Sequence, residues 1–397
     1  MITVAEAEKI ILENTLDLGT ETIPFDKSIG RVLAEPIYAD RDFPPFDRVT
    51  MDGIAINYDS FTANSKSFKV EGVHTAGAPQ TNLQNPAKCL EVMTGAILPE
   101  GCDTVIRYED VTIADGVATI NVEEIRKGQN IHRKGNDRKQ GAQLAGPGRL
   151  IDSALMGVLT TVGKSEVVVS KIPRVAIIST GDELVDVDEA PLPHQIRKSN
   201  VYSLKAALLG LNIDSNLFHI DDDKAITEHA IVDILDQHDV LLLSGGVSKG
   251  KADFVPDALA KIGVKKLFHR VKQRPGKPFW FGTTNDKVVF AFPGNPVSTF
   301  LCFVRYCRPW LIKVLGLVQP KPHYAVLNVD FSFKPELTYF LQVQVTSDKE
   351  SGRLLAIPVE GKGSGDLANL LESDGFLELG AEKTRFKRGE IFKLFEF

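Results

Sequence analysis

"VLLLSGGVSKGKADF" (Val240–Phe254) carries a run of strand-forming residues into a glycine-rich turn, and its reading decides what kind of sheet the chain builds. Gly245, four intervening residues, Gly250 and Lys251 reproduce most of a P-loop. Ala252, however, stands where that loop needs a Ser or Thr hydroxyl to bind the nucleotide's magnesium ion. The stretch therefore reads as a phosphate-binding loop of another kind, with Asp253 supplying the metal contact that Ala252 cannot.

The surrounding sequence gives that loop its place. From Pro173 onward, "RVAIIST" is a buried-strand run, "NVYSLKAALLGL" a helix opened by Asn200, and "NIDSNLFHI" a strand. "KAITEHAIVDILDQ" follows as a helix and "DVLLLSGG" as a strand. The rhythm continues through "KADFVPDALAKIG", "VKKLFHRVK" and "KVVFAF" to the long helix "PVSTFLCFVRYCRPWLIKVLG". Strands alternating with helices of this length predict βαβ units and a parallel sheet.

In such sheets ligands bind beyond the carboxyl ends of the strands, where backbone N–H groups are free. Three loops fall there, and each offers small residues with hydroxyls or an amide. They supply Ser179, Thr180 and Gly181; Ser244, Gly245, Gly246 and Ser248; and Pro293, Gly294, Asn295 and Ser298. Carboxylates share the edge: Glu183, the run Asp221, Asp222 and Asp223, and Asp253. Two or three such oxygen ligands around a phosphate are the usual way of holding Mg²⁺. "RVKQRPGKPFWFG" adds Arg270, Lys272, Arg274 and Lys277 around a rigid Pro-Gly-Lys-Pro turn, suited to a ligand with several negative charges. Taken singly, the glycines could form ordinary tight turns, the acids could cap helices, and the cations could be a solvated face.

Elsewhere the texture differs. Residues 1 to about 20 predict a helix, and from Phe43 to about Gly141 short β-like runs are separated by Gly, Pro and Asn turns, as in a compact β insertion. Within it "DFPPFDRVTMDGIAI" presents Asp47 and Asp52, "VMTGAILPEGCD" presents Thr94, and "RKGNDRKQG" presents Asp137. By spacing alone each could be a turn residue. After "LVQPKP" the chain is β-rich to its end.

Composition narrows the function classes. The 397 residues are 43% hydrophobic and 25% charged, typical of a globular chain of two to four domains. A net charge of −6 without a basic block argues against broad capture of nucleic acid. No apolar stretch is long enough for a bilayer, and three Glu interrupt the N-terminal segment, so a cytoplasmic protein without membrane attachment is expected. The four cysteines and eight histidines show no zinc-site spacing.

The motifs "PPFDRVTMDGIA", "TGAILPEGCDTVI", "GNDRKQG", "IISTGDEL", "LLLSGGVSKGKADF", "RPGKPFWFG" and "PGNPVS" together resemble the molybdopterin molybdenumtransferases of the MoeA family, related to the gephyrin E domain. The resemblance implies a multidomain α/β and β fold. A discontinuous N-terminal linker domain would take residues 1–40 plus 142–172, and the β insertion domain 41–141. A molybdopterin-binding parallel α/β domain would take 173–318, and a C-terminal β domain 319–397. It implies insertion of molybdenum from molybdate into adenylylated molybdopterin with Mg²⁺, releasing AMP and molybdenum cofactor. It also implies a homodimer with a shared active site, to which Asp52 contributes from the second subunit, and contact with proteins of the same pathway.

The family's functional positions correspond to Asp52, Thr94, Asp137, Glu183, Asp221, Asp253, Arg270, Arg274 and Lys277, with Asp52, Glu183 and Asp253 as the expected catalytic groups and Glu183 and Asp253 expected to hold Mg²⁺ or to position the attack on the pyrophosphate. Arg48, Thr50, Lys249 and Lys251 depart from the family pattern, as do Gln342, Gln344, Ala368 and Asn369 in the C-terminal region. The last four leave open what that region contributes to an oxyanion site. A non-catalytic scaffold of the gephyrin E-domain type is the alternative, and retention of Asp52, Glu183, Asp221 and Asp253 favours catalysis. The related adenylyltransferases share the α/β domain, but the insertion and the C-terminal region speak against that reading.

Overall fold

The computed structural model of the chain describes residues 1–61, 65–221, 224–246 and 255–397. Two compact units emerge. One comprises Met1–Glu35, Pro147–Asp152 and Glu166–Phe397; the other comprises Pro36–Gly146 and Ser153–Ser165.

The larger unit is built on the predicted sheet. Its elements are β1 (Val175–Thr180), α1 (Asn200–Leu209), β2 (Ser215–Ile220), α2 (Lys224–Gln237), β3 (Val240–Ser244), α3 (Val255–Lys261), β4 (Lys265–His269), β5 (Trp280–Thr283) and β6 (Val288–Phe292). Their order across the sheet is β2-β1-β3-β6-β5-β4. β2, β1, β3 and β6 run parallel, whereas β5 and β4 turn back antiparallel at the edge. The turn back is a refinement of the all-parallel expectation. β5 falls in the aromatic run "PFWFG", which lacks the alternation that marks a half-buried strand; Trp280 is nonetheless fully packed at 1% exposure.

Alternate residues of the central strands feed two cores. Val175, Ile177, Leu242 and Phe290 face one core with α1, whereas Ile178, Leu241, Leu243 and Val289 face another with α2 and α3. Burial on both faces explains why these strands read as continuous apolar runs. Each fully buried Ile or Leu contributes about 1.5–3 kcal/mol relative to exposure.

After β6 the long helix begins at Pro296 and continues through Val314 with an internal π-helical segment, Phe303–Cys307. The N-terminal helix Val4–Glu13 opens with a capping box between Thr3 and Glu6 and packs on this long helix. Trp310 Nε1 donates to the Asn14 carbonyl at 2.8 Å, and Arg305 pairs with Glu8 at 2.8 Å. At the C-terminal end, strands Thr338–Ser347, Leu354–Pro358, His323–Leu327, Ile391–Glu396 and Gly375–Leu379 pair in that order, and the first pairs again with the last. The five thus close into a barrel. The two-residue strand Gln273–Arg274 adds to it, parallel to Thr338–Tyr339.

The smaller unit holds a six-stranded sheet with apolar clusters on both faces, around Ala55, Val92 and Val105 on one and Ile54, Ile56 and Ile106 on the other. Gly53 is required there: a Cβ would strike the Ile106 carbonyl oxygen on the neighbouring strand. Among the described residues, no helix is long and apolar enough to cross a membrane.

Candidate functional site

β1, β3 and β6 are adjacent and parallel, so their carboxyl ends share one edge and their three loops meet there. A cavity of about 290 Å³ lies at this edge, lined by Ser179, Thr180, Glu183, Ser244, Gly245, Gly294 and Asn295 among others. Two glycines make the close approach possible. Gly245 and Gly246 have φ of +101° and +66°, and a Cβ on either would come within 3.1 Å of the Thr180 hydroxyl. The Gly245 N–H donates to the Phe292 carbonyl at 3.2 Å, joining the β3 and β6 loops.

Asn200 ties the same loops together. Its Nδ2 donates to Ser244 Oγ at 2.8 Å and to the Gly294 carbonyl at 2.7 Å. A carbonyl can only accept, so the amide must present its NH₂ group to Gly294. Asn200 opens α1 as its first residue, as expected; the capping position belongs to Ser199, which makes no side-chain cap bond, and the Asn200 amide bridges strand ends.

Glu183 is exposed at the mouth of this cavity, and among the described residues no partner holds its carboxylate. Gly181 lies beneath it at φ +129°, a conformation that favours glycine, and a Cβ there would displace that carboxylate. Ser248 and Asp253 lie outside the described residues, as do Asp222, Asp223, Lys249 and Lys251. Asp221 lines neither of the two cavities; its carboxylate lies 3.6 Å from His219 Nε2, while His219 Nδ1 lies 2.9 Å from Ser179 Oγ.

A second cavity of about 550 Å³ shares Asn295 with the first. Arg274 and Lys277 of the Pro-Gly-Lys-Pro turn line it with Pro293 and Ser298, facing Tyr339, Gln342 and the loop of Gly361, Lys362, Gly363 and Ser364 from the barrel. The Arg274 guanidinium lies 5.9 Å from the Phe333 ring centre, so part of its charge is steadied by an aromatic face. Arg270 is not part of either wall. It adopts φ +96°, its N–H donates to the Phe279 carbonyl at 2.9 Å, and its own carbonyl accepts from Ile2. The Asn295 amide donates to Ser364 Oγ at 2.8 Å, committing it to the barrel loop. Of the two departing glutamines, Gln344 is exposed, whereas Gln342 reaches the cavity wall and accepts from Asn369 Nδ2 at 2.7 Å.

In the smaller unit, Asp52 and Thr94 come together across 42 positions of sequence. The Thr94 N–H donates to Asp52 Oδ1 at 2.6 Å, and this bond holds the carboxyl below its ordinary pKa. Asp137 pairs with His132 Nε2 at 2.8 Å. Asp47 clamps Arg133 at 2.6 Å and the Lys134 N–H at 2.8 Å, a structural task for a loop acid.

Sequence reasoning passed over Arg197 and Lys198, which line the smaller cavity, and Lys362 and Ser364, which line the larger. Lys198 returns to the edge because Ile196–Arg197 pairs in parallel with Leu184–Val185, and its Nζ is held by Asp186 at 3.1 Å. The available signal was the acidic-then-basic run "DVDEAPLPHQIRKS", which has no periodicity to flag it.

Comparison with known proteins agrees with this architecture. Residues 2–163 match the family described as MoeA N-terminal region (domain I and II), 176–313 a probable molybdopterin binding domain, and 324–397 the MoeA C-terminal region (domain IV). A molybdopterin molybdenumtransferase of Synechocystis sp. is 40% identical, covering 100% of both chains. One of Staphylococcus epidermidis is 30% identical over 98% of this chain and 94% of the relative. The crystal structure of a molybdopterin biosynthesis MoeA protein from Pyrococcus horikosii is similar at TM-score 0.83 and 30% identity, covering 100% of this chain and 99% of that one.

Proposed function

The chain belongs to the MoeA family of molybdopterin molybdenumtransferases, and from that premise we propose how its residues divide the reaction. The protein is a transferase that inserts molybdenum during molybdenum cofactor biosynthesis. In the proposed division the substrates are adenylylated molybdopterin and molybdate, and the products are AMP and the molybdenum cofactor.

The smaller cavity takes the diphosphate of adenylylated molybdopterin. Ser179, Thr180, Ser244, Gly245 and Gly294 line it, the first three carrying hydroxyls, and Gly181 and Gly246 adjoin them in the same loops. The single observation that carries this reading is the convergence of three strand-end loops on one cavity, held by the Asn200 amide. The larger cavity takes the oxyanion, with Arg274 and Lys277 providing positive charge and Ser298 a hydroxyl. Asn295, common to both walls, sets the two substrates side by side.

Mg²⁺ fits this donor set. It binds through one or two carboxylates together with substrate phosphates and retained waters, so it does not require three clustered acids. Among the described residues there is no such cluster. Glu183, whose carboxylate stands free at the phosphate cavity, would hold it together with Asp253. The ion would neutralise charge developing on the phosphate oxygens as AMP leaves.

Asp52, kept ionised by Thr94, acts in this proposal from the second subunit of a homodimer, with Asp137 beside the substrate path and Asp221 and Arg270 at its margin. The four-part division at residues 1–40 with 142–172, 41–141, 173–318 and 319–397 belongs to the same reading, as do a cytoplasmic location and transfer to pathway proteins. The test is AMP formation from adenylylated molybdopterin, Mg²⁺ and molybdate. Glu183→Gln should retain the fold and lose AMP release, and undiminished turnover would remove Glu183 from its role.

A further inference from the structure

The turn that carries Arg274 and Lys277 is braced from behind by a buried amide. Gln273 is 0% exposed, and its Nε2 donates to the Gly276 carbonyl at 3.2 Å within that turn. Its Oε1 accepts from the hydroxyl of Tyr306, which is itself 1% exposed. The Gly276 carbonyl, which can only accept, settles the orientation of the amide. A hydroxyl directed at Oε1 leaves the NH₂ group to face Gly276, whereas a flipped amide would set its oxygen against the Gly276 carbonyl.

The space behind the turn is closed as well. A Cβ at Gly276 would come within 2.8 Å of both Cys302 Sγ and Gln273 Nε2. Tyr306 cannot drift easily. It lies in the π-helical segment Phe303–Cys307, its ring centre is 5.1 Å from that of Phe279, and the Arg305 guanidinium stacks 5.1 Å from its ring centre. Arg305 in turn is anchored by Glu8 at 2.8 Å and lies 3.3 Å from Glu378 of the barrel. Burial raises the Tyr306 pKa well above its ordinary value, so the phenol remains a donor at every working pH.

We propose that Tyr306 and Gln273 are positioning residues for the oxyanion. They fix the backbone of the turn so that Arg274 and Lys277 line the larger cavity, whose wall Gln273 itself joins from beneath the turn. The inference rests on the reading of that cavity as the molybdate site. Preorganisation of this kind acts on oxyanion affinity, because a loosened turn must be reordered each time the anion binds.

The experiment measures AMP release at saturating adenylylated molybdopterin and Mg²⁺ against molybdate concentration for the full-length protein and four variants. Tyr306→Phe keeps the ring and its packing and removes only the donor. Losing that one bond should raise KM for molybdate by about 5–10-fold, with kcat within twofold. Gln273→Leu, which removes the bond to Gly276, should do at least as much. Leu311→Val, buried in the same long helix and trimming only an apolar side chain, controls for general loss of stability and should leave KM unchanged. Arg274→Ala tests the underlying reading and should raise KM more than any of these.

A raised KM in Arg274→Ala with an unchanged KM in Tyr306→Phe overturns the positioning role while sparing the oxyanion site. The same holds if Tyr306→Phe and Leu311→Val alter KM and kcat alike. An unchanged KM in Arg274→Ala removes the oxyanion site itself, and the positioning role falls with it.

Discussion

Replacing Asn200 with Ala should separate the loops on which the diphosphate site depends. The side chain donates to Ser244 Oγ at 2.8 Å and to the Gly294 carbonyl at 2.7 Å, and both acceptors belong to strand-end loops lining the smaller cavity. Each bond contributes about 1 kcal/mol net, so the pair is worth about 2 kcal/mol in keeping the loops in register. Ser244 is 4% exposed, and its hydroxyl would lose a donor that water cannot easily replace. Spent entirely on the bound complex, 2 kcal/mol is roughly a 30-fold rise in KM for adenylylated molybdopterin. Asn200→Asp should do more harm than Asn200→Ala. A carboxylate cannot donate to Gly294, and it brings a negative charge to the mouth of the cavity proposed to take the diphosphate. The assay is AMP release against adenylylated molybdopterin concentration at saturating molybdate. A KM within twofold of the parent in Asn200→Ala, or Asn200→Asp milder than Asn200→Ala, would refute the clamp.

Gly181→Ala should keep the sheet but displace the Glu183 carboxylate, with strain of about 1–3 kcal/mol from the positive φ; turnover should fall much further than thermal stability, as paired activity and melting measurements would show. Gly53→Ala forces a Cβ into the Ile106 carbonyl and should cost the smaller unit more than 3 kcal/mol, read as early proteolysis of the segment around Pro36–Gly146. The Asp52 pKa is lowered on folding, so its contribution to stability is complete above the unfolded value of about 3.9 and is lost as pH falls through the folded value. Carbon-detected NMR should therefore give Asp52 a midpoint below that of an unstructured Asp, with the Thr94 amide shift following the same curve. Arg305→Ala would leave Glu8 and Glu378 without their buried counter-charge and should destabilise the larger unit by about 3–5 kcal/mol in denaturant titrations.

The sheet was legible because its strands are buried on both faces. Val175–Ile178 and Leu241–Leu243 read as unbroken apolar runs, and the residues that end them are small and polar. Topology then delivers the loops to one edge, since adjacent parallel strands must present like ends together. Strand β5 was hidden for the opposite reason. "PFWFG" is too short and too uniformly aromatic to show a period, and its neighbours Pro275 and Pro278 suggest only a turn. The same turn concealed its second use: Gln273–Arg274 forms a strand with the C-terminal barrel, and nothing local in "KQRP" announces a partner at Thr338.

Asn200 opens its helix as its position ahead of an apolar periodic segment suggests, but its bridging amide was out of reach of the sequence. The bridge depends on an acceptor 94 residues away in sequence, and pairing over that distance is fixed by the sheet and not by any neighbour of Asn200. The amide of Gln273 makes the same point from inside the core. Its meaning lies in a phenol 33 residues further on, and only a structure holding both can say which end of the amide faces the turn. Local sequence therefore identifies the groups that line the cavities more readily than those that hold them in place. Glu183, Arg274 and Lys277 belong to motifs carried by short stretches, whereas Asn200, Gln273 and Tyr306 act through contacts that exist only after the strands have been ordered.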